Sequence, residues 1–308
     1  VVAVWLIVNP KAGAGRAESL AAGAVPLLRR AHAEPVIHVC ADGAEPARLA
    51  AAACSEGVEL VVAVGGDGLV AGVAEGLLAA KQPASARPVL AVIATGSAND
   101  YARALGVRVL DLPTQVALML DPRQRAQVDV VRVDSAGGMR HILNVGGTGF
   151  DARVARRAMG ISRLRGGPRY LAATLAELPG LSAAAFELTV DGARLPTQAL
   201  LVAIANGSTY GGGMHVAPDA HLQNGRLDVC VIGTLSRLAF LRAFPRVYRG
   251  SHVSHPAVTM LRAREVSIAA DRPLEILGDG ELIGSLPATF RVQPQALTVV
   301  AAPGAPLA

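Results

Sequence analysis

The apolar positions of the chain fall into short, uninterrupted runs that predict buried strands. Residues 1–8 form a β-rich stretch without a polar break, and after a glycine turn at 13–15 the spacing becomes helical over 17–31. Similar runs recur at 35–40, 59–64 and 88–93, each leading into a helical stretch, at 47–55, 70–80 and 99–105. Strands apolar on both faces and separated by helices predict a parallel α/β sheet, whose ligands bind beyond the carboxyl ends of the strands. From residue 128 the texture changes to closely spaced β-rich runs, at 128–133, 139–144, 186–190, 200–205, 227–232, 264–270, 274–277 and 296–300. With the hairpin dipeptide Asp191–Gly192 these predict a mostly antiparallel β domain. Two helices interrupt it, over 153–178 with a break near 166–168, and over 235–248.

Length agrees with two domains, since 308 residues exceed the roughly 100–200 of one ordinary domain. The expected division is an α/β domain over 1–125 and a β-sandwich domain over 126–308, with the C-terminal tail either staying there or returning to the first. An apolar content of 52% against 17% charged excludes intrinsic disorder. The apolar runs stop after about eight residues, short of the roughly 18 that a membrane-spanning helix needs. Charge adds little by itself. The excess of 29 basic over 24 acidic residues permits anionic partners, and ten aromatic residues are few for a single-strand nucleic-acid binder. Three cysteines without a CxxC pair read as buried thiols of a cytoplasmic protein. No basic leader precedes the first strand, so no signal segment is visible, and the missing Met suggests a trimmed start.

Candidate chemistry collects where buried strands meet glycine turns. The three junctions are Val8-Asn9-Pro10-Lys11-Ala12-Gly13, Val64-Gly65-Gly66-Asp67-Gly68 and Ile93-Ala94-Thr95-Gly96-Ser97-Ala98-Asn99-Asp100. Glycines let backbone N–H groups approach phosphate oxygens, and the following helix N-termini add positive dipole, so three such turns at equivalent strand ends predict a nucleotide site. Neither GxxxxGK[ST] nor a GxGxxG after the first strand is present. The acids on glycine turns are Asp67, Asp100 and, late in the chain, Asp279 and Glu281 in Gly278-Asp279-Gly280-Glu281. Carboxylates beside phosphates suit a bridging Mg²⁺ or a base for an attacking hydroxyl, and both point to phosphoryl transfer. The plain alternative for the last pair is a hairpin turn followed by a surface Glu.

Seven ordered motifs carry a family resemblance: NPKAG at 9–13, GGDG at 65–68, TGSANDYAR at 95–103, DVVRVD at 129–134, NVGGTGFDA at 144–152, YGGGMHVAPDA at 210–220 and GDGE at 278–281. Together they resemble the diacylglycerol kinase catalytic family, in the bacterial branch of the YegS-type lipid kinases. The resemblance implies an α/β nucleotide domain, a C-terminal β-sandwich, an active site in the cleft between them and ATP-dependent phosphorylation of a lipid hydroxyl. It implies that Gly65, Gly66, Asp67 and Gly68 cradle the ATP phosphates, with Ser97, Asn99 and Asp100 beside them and Asn9 and Gly13 completing the wall. Glu281 is the favoured base, Asp279 its partner, and Asp129 a support for that network. ATP and Mg²⁺ are the implied cofactors.

Some positions depart from the family pattern. GGDG is followed by Leu69, Val70 and Ala71 where a Thr and an Asn-Glu step are usual, Ala94 replaces a proline, Ser97 a threonine and Ala12 a serine, and the basic residue after the first glycine is displaced to Arg16. The family's structural Mg²⁺ site would use His221, Asn224 and Arg226, through main-chain oxygens and the Asn amide. A lipid kinase without a spanning helix needs a surface that meets anionic headgroups. The candidates are the arginines Arg153, Arg156, Arg157, Arg163, Arg165 and Arg169, and a helix carrying Arg242, Arg246 and Arg249 beside Phe240, Phe244 and Val247. The expected protein is thus a cytoplasmic, peripherally membrane-associated lipid kinase. The alternatives are an NAD kinase-like enzyme, and a nucleotide- or lipid-binding regulator weakened by Leu69 and Ala71.

Overall fold

A computed structural model describes residues 1–161, 164 and 167–307. The chain forms two compact units, Val1–Asp129 with Pro294–Ala308, and Val130–Gln293. The boundary expected after 125 therefore falls after 129, and the tail from Pro294 joins the first unit.

In the first unit the order is β1 (Val2–Val8), α1 (Arg16–Arg30), β2 (Ala33–Val39), α2 (Glu45–Ser55), β3 (Leu60–Gly65), α3 (Asp67–Ala79), β4 (Val89–Ala94), α4 (Asp100–Ala104), α5 (Leu112–Leu120) and the start of β5 (Arg125–Ser135). Strands β4, β3, β1 and β2 pair in that order, all parallel. The unbroken apolar runs have a direct counterpart. Val4, Leu6 and Val8 pack with Ala17, Ala21, Ala24 and Leu28 of α1 on one face, while Trp5 and Ile7 are buried on the other. Helix α5 was not anticipated, although Leu112, Val116 and Met119 recur at helical spacing and pack on the core of this unit. Its start is capped by Asp111, whose Oδ1 accepts the Thr114 N–H at 2.9 Å. The returning tail is held by main-chain bonds from Ala301 to Gln124 and from Ala302 to Leu105.

The second unit continues β5 and adds β6 (Gly138–Ile142), β7 (Val145–Gly149), α6 (Phe150–Met159), α7 (Gly167–Glu177), β8 (Ala184–Val190), β9 (Ala193–Ala205), β10 (Leu227–Gly233), α8 (Arg237–Val247), β11 (Val258–Ala263), β12 (Glu265–Ala270), β13 (Glu275–Gly278), β14 (Glu281–Ser285) and β15 (Ala288–Val300), whose last residues belong to the first unit. Its named pairings are antiparallel. Asp191 (φ 45°) and Gly192 (φ 87°) make the turn that joins β8 to β9, as the dipeptide predicts. Alternation along β9 separates two cores: Val202 and Ile204 face a β-only core with Phe186 and Phe290, and Leu201, Ala203 and Ala205 face Phe150, Val154 and Phe240 of α6 and α8. The helix expected over 153–178 with a break near 166–168 is α6, which ends at Met159, and α7, which starts at Gly167. Strands β7, β11 and β14 were not anticipated, because glycines in β7 and short polar runs in the others mask the period of two.

Candidate active site

The three glycine turns of the first unit meet in space. Thr95 N–H donates to the Gly65 carbonyl at 2.8 Å and Asn9 N–H to the Val64 carbonyl at 3.2 Å, so all three turns lie at one end of the sheet. Gly13 has φ 60°, and a Cβ there would stand 2.7 Å from the Thr95 carbonyl oxygen. A Cβ on Gly96 would likewise stand 2.7 Å from the Gly66 Cα. Only glycine allows these approaches. Asn9, Gly13, Gly65, Gly66, Asp67, Asn99 and Asp100 are thereby brought together, with Gly68 inside the first turn of α3 and Ser97 exposed on the third turn.

Two polar atoms at this end are enclosed without a hydrogen-bond partner among the described residues, Thr95 Oγ1 and Asn99 Oδ1. Asn99 is held in a left-handed conformation (φ 51°) while its Nδ2 donates to the Gly96 carbonyl at 2.7 Å. Enclosed oxygens without partners at the head of glycine turns suit a polar ligand.

Asp67 is turned toward the third turn. Its Oδ1 accepts the Tyr101 N–H at 3.2 Å, at the start of α4. Burial, and then the nearby Asp100 charge, push its carboxyl above the usual carboxylate range, while the N–H groups of Tyr101, Asp100 and Asn99 pull it back. Asp100 in turn has Arg103 Nε at 3.7 Å. The Asp100 charge adds to the effect of burial on Asp67, and a divalent cation between the two carboxyls would offset it. Asp67 thus braces the third turn, which the motif alone did not suggest.

In the second unit, Asp279 (φ 47°) and Gly280 (φ 90°) make the turn between β13 and β14, so the hairpin reading of this dipeptide is correct. Asp279 does more than turn the chain. Its Oδ2 accepts the Leu143 N–H at 2.7 Å, its Oδ1 accepts those of Asn144 at 2.9 Å and Val145 at 3.3 Å, and its own N–H donates to the Val145 carbonyl at 3.0 Å. Glu281, two residues on, is exposed. Asn144 and Asn206 brace the same corner: Asn144 Nδ2 donates to the Thr209 carbonyl, and Asn206 Nδ2 to the Leu143 carbonyl at 2.7 Å. Asn144 stands in a motif but was given no role, and no sequence signal marked Asn206. Asp129, expected to support the acidic pair, has a different visible task in the first unit, where its Oδ1 accepts the Gln295 N–H at 2.9 Å.

The side chains of the loop expected to hold a structural metal offer little to a hard dication. Asn224 offers one neutral oxygen, which accepts the Arg226 N–H at 2.9 Å, and His221 places a ring nitrogen rather than an oxygen among the side chains. A hard dication calls for carboxylates and carbonyls. A guanidinium ties the loop's flanks instead, with Arg262 donating to Asp228 Oδ1 at 2.9 Å and to the Asp219 carbonyl at 3.2 Å.

The arginine-rich segment is also corrected. Arg153 and Arg157 pair with Glu177, and Arg156 with Glu275, so two acids from farther along the chain offset part of what reads locally as a basic run. Arg163 and Arg165 lie outside the described residues. On α8, Phe240 is buried between Phe150 and Phe244, and Arg246 donates to the Ser251 carbonyl and Ser254 Oγ. Leu171 and Leu175 of α7 and Leu238 and Leu241 of α8 are exposed. The two helices are neighbours, because Arg237 donates to the carbonyl of Pro179, just beyond α7. Among the described residues no helix is long and apolar enough to cross a membrane.

Comparison with known proteins agrees with this layout. The diacylglycerol kinase catalytic domain matches residues 3–133, and the YegS C-terminal NAD kinase beta sandwich-like domain matches residues 144–301. A diacylglycerol kinase of Mycobacterium tuberculosis is 31% identical over 299 residues, covering 96% of this chain and 94% of that protein. A diacylglycerol kinase of Bacillus subtilis is 26% identical over 286 residues, covering 92% and 91%. The fold is that of a crystallised diacylglycerol kinase from Bacillus anthracis, with a TM-score of 0.74, 22% identity and coverage of 98% and 97%. Two glycine-built halves in this order, matched from end to end, make the chain a kinase of the diacylglycerol kinase catalytic family, in its YegS-like lipid kinase branch.

Proposed function

We propose that the protein transfers the γ-phosphoryl group of ATP to the hydroxyl of a diacylglycerol-like lipid. The observation that carries this reading is the meeting of three glycine turns around the partnerless oxygens of Thr95 and Asn99. Backbone N–H groups there suit phosphate oxygens, and Asp67 and Asp100 suit the Mg²⁺ that accompanies ATP as substrate. Glu281 takes the proton of the acceptor hydroxyl as the oxygen–phosphorus bond forms and the bond to ADP breaks. Asp279 is a poor base by comparison, because three N–H groups already hold its two oxygens. It holds the turn from which Glu281 projects.

A second reading, a nucleotide- or lipid-binding regulator, is favoured by one observation. Leu69 is buried against Gly65, where the family pattern has a hydroxyl. Incubation with γ-labelled ATP and dispersed diacylglycerol, phosphatidylglycerol, ceramide or NAD separates the readings. Label on diacylglycerol is expected. Label on NAD would make the chain an NAD kinase, and ATP binding without transfer would leave the regulator.

The lipid is met at the membrane surface through the exposed leucines of α7 and α8, the latter on a segment, 235–249, that carries Arg242 and Arg249 and no acid. Sedimentation with vesicles containing phosphatidylglycerol should exceed that with phosphatidylcholine alone. Replacing both Leu238 and Leu241 with Glu should reduce it several-fold, and unchanged sedimentation would exclude this face.

A further inference from the structure

Asp151 is a buried acid that the site described above does not use. It is the second residue of α6 and only 7% exposed. Its Oδ1 accepts the N–H of the adjacent Ala152 at 2.8 Å, and its Oδ2 is enclosed without a partner among the described residues. That oxygen lies against Gly147 so closely that a Cβ on residue 147 would overlap it. Gly147 pairs with Leu277 and Gly146 with Gly278, the residues of β13 that lead into the turn of Asp279 and Glu281. Helix α6 packs against β7, β9, β13, β14 and α7, and the carboxyl itself touches β7, the strand that pairs with β13.

We propose that Asp151 is a positioning residue for phosphoryl transfer: its carboxyl, pressed on Gly147, sets where β7 lies and through β7 the turn that carries Asp279 and Glu281. The inference rests on the lipid-kinase reading. A neutral carboxyl can sit on a glycine backbone with one N–H bond, whereas an ionised one would put an uncompensated charge there and push the strand away.

Among the described residues no cation offsets that charge. Burial alone raises the Asp151 carboxyl to about 7, against the weaker pull of the Ala152 and Asp151 N–H groups. From the loop after β9, Tyr210 faces it with a phenol pushed well up, and from β10, Cys230 with a thiol pushed up to about 12, both first by burial and then by Asp151 itself. On α7, Arg169 lies over the Tyr170 ring and Glu177 is held by Arg153 and Arg157 of α6. On β13, Glu275 is paired with Arg156 of α6, and on β14, Glu281 is exposed. Residues 145–149 of β7 and 201–205 of β9 contain no titratable group.

The test is the pH dependence of kcat and of the lipid KM for the wild type and Asp151→Asn, with thermal unfolding measured in parallel. The wild-type kcat should fall roughly tenfold from pH 6 to pH 8 with little change in KM, while Asp151→Asn, neutral at every pH, should stay within about twofold. Between the ordinary carboxylate value and about 7, the folded protein holds one proton more than the unfolded chain. Wild-type stability therefore declines as pH rises through that window and levels off above it, and this decline should be absent in Asp151→Asn. If unfolding behaves in this way while the two rate profiles share one alkaline limb, Asp151 is structural only and the inference is overturned. A wild type that phosphorylates no lipid at any pH overturns the lipid-kinase reading itself.

Discussion

Glu281→Gln is expected to lower kcat by about two to four orders of magnitude, the range lost when a positioned general base is removed. The variant should leave the ATP KM and the melting temperature close to those of the wild type. Glu281 is exposed, and the amide is nearly isosteric with the carboxylate, so folding loses almost nothing. The hairpin is held by Asp279 through Leu143, Asn144 and Val145 and does not depend on the Glu281 side chain. Steady-state rates with saturating ATP and lipid, beside a thermal melt, make the comparison. A variant within threefold of the wild-type rate would remove Glu281 from the chemistry.

Asp279→Ala should lose both rate and stability. Three main-chain N–H groups lose a charged acceptor, and hydrogen bonds to charged groups contribute about 1.5–3 kcal/mol each before water replaces part of them. Alanine is also strained at the positive φ of 47° that residue 279 adopts. A loss of roughly 3–5 kcal/mol follows, and in a unit of this size that lowers the melting temperature by about 10 °C. Asp279→Asn keeps one oxygen and tolerates the backbone, so it should fall between. The two acids are therefore separable: one substitution removes rate alone, and the other removes rate together with stability. An Asp279→Ala protein that melts at the wild-type temperature would contradict the clamp.

Much of the first unit is legible in the chain. Strands buried on both faces have no polar alternation to misplace, and β1, β3 and β4 are found within one or two residues of their predicted ends. The turns at Gly13, Gly66 and Gly96 were legible because the backbone approaches there admit no side chain. The second unit was read less well, for physical reasons. Strand β7 is glycine-rich because α6 and β13 press on it, so the feature that makes it important also erases its pattern. The arginine segment misled because its acids, Glu177 and Glu275, are remote in sequence. Asn206 and Asp151 matter through enclosure and through partners fixed by topology, neither of which leaves a local trace.

The central claim is that this chain moves phosphate from ATP onto a lipid hydroxyl, and one measurement bears on it most directly. Wild type and Glu281→Gln are incubated with γ-labelled ATP, Mg²⁺ and diacylglycerol dispersed with phosphatidylglycerol, and label is counted in the organic extract. Label should appear in phosphorylated diacylglycerol with the wild type and be reduced at least a hundredfold with the variant. An unlabelled extract from the wild type, or equal label from both proteins, would contradict it.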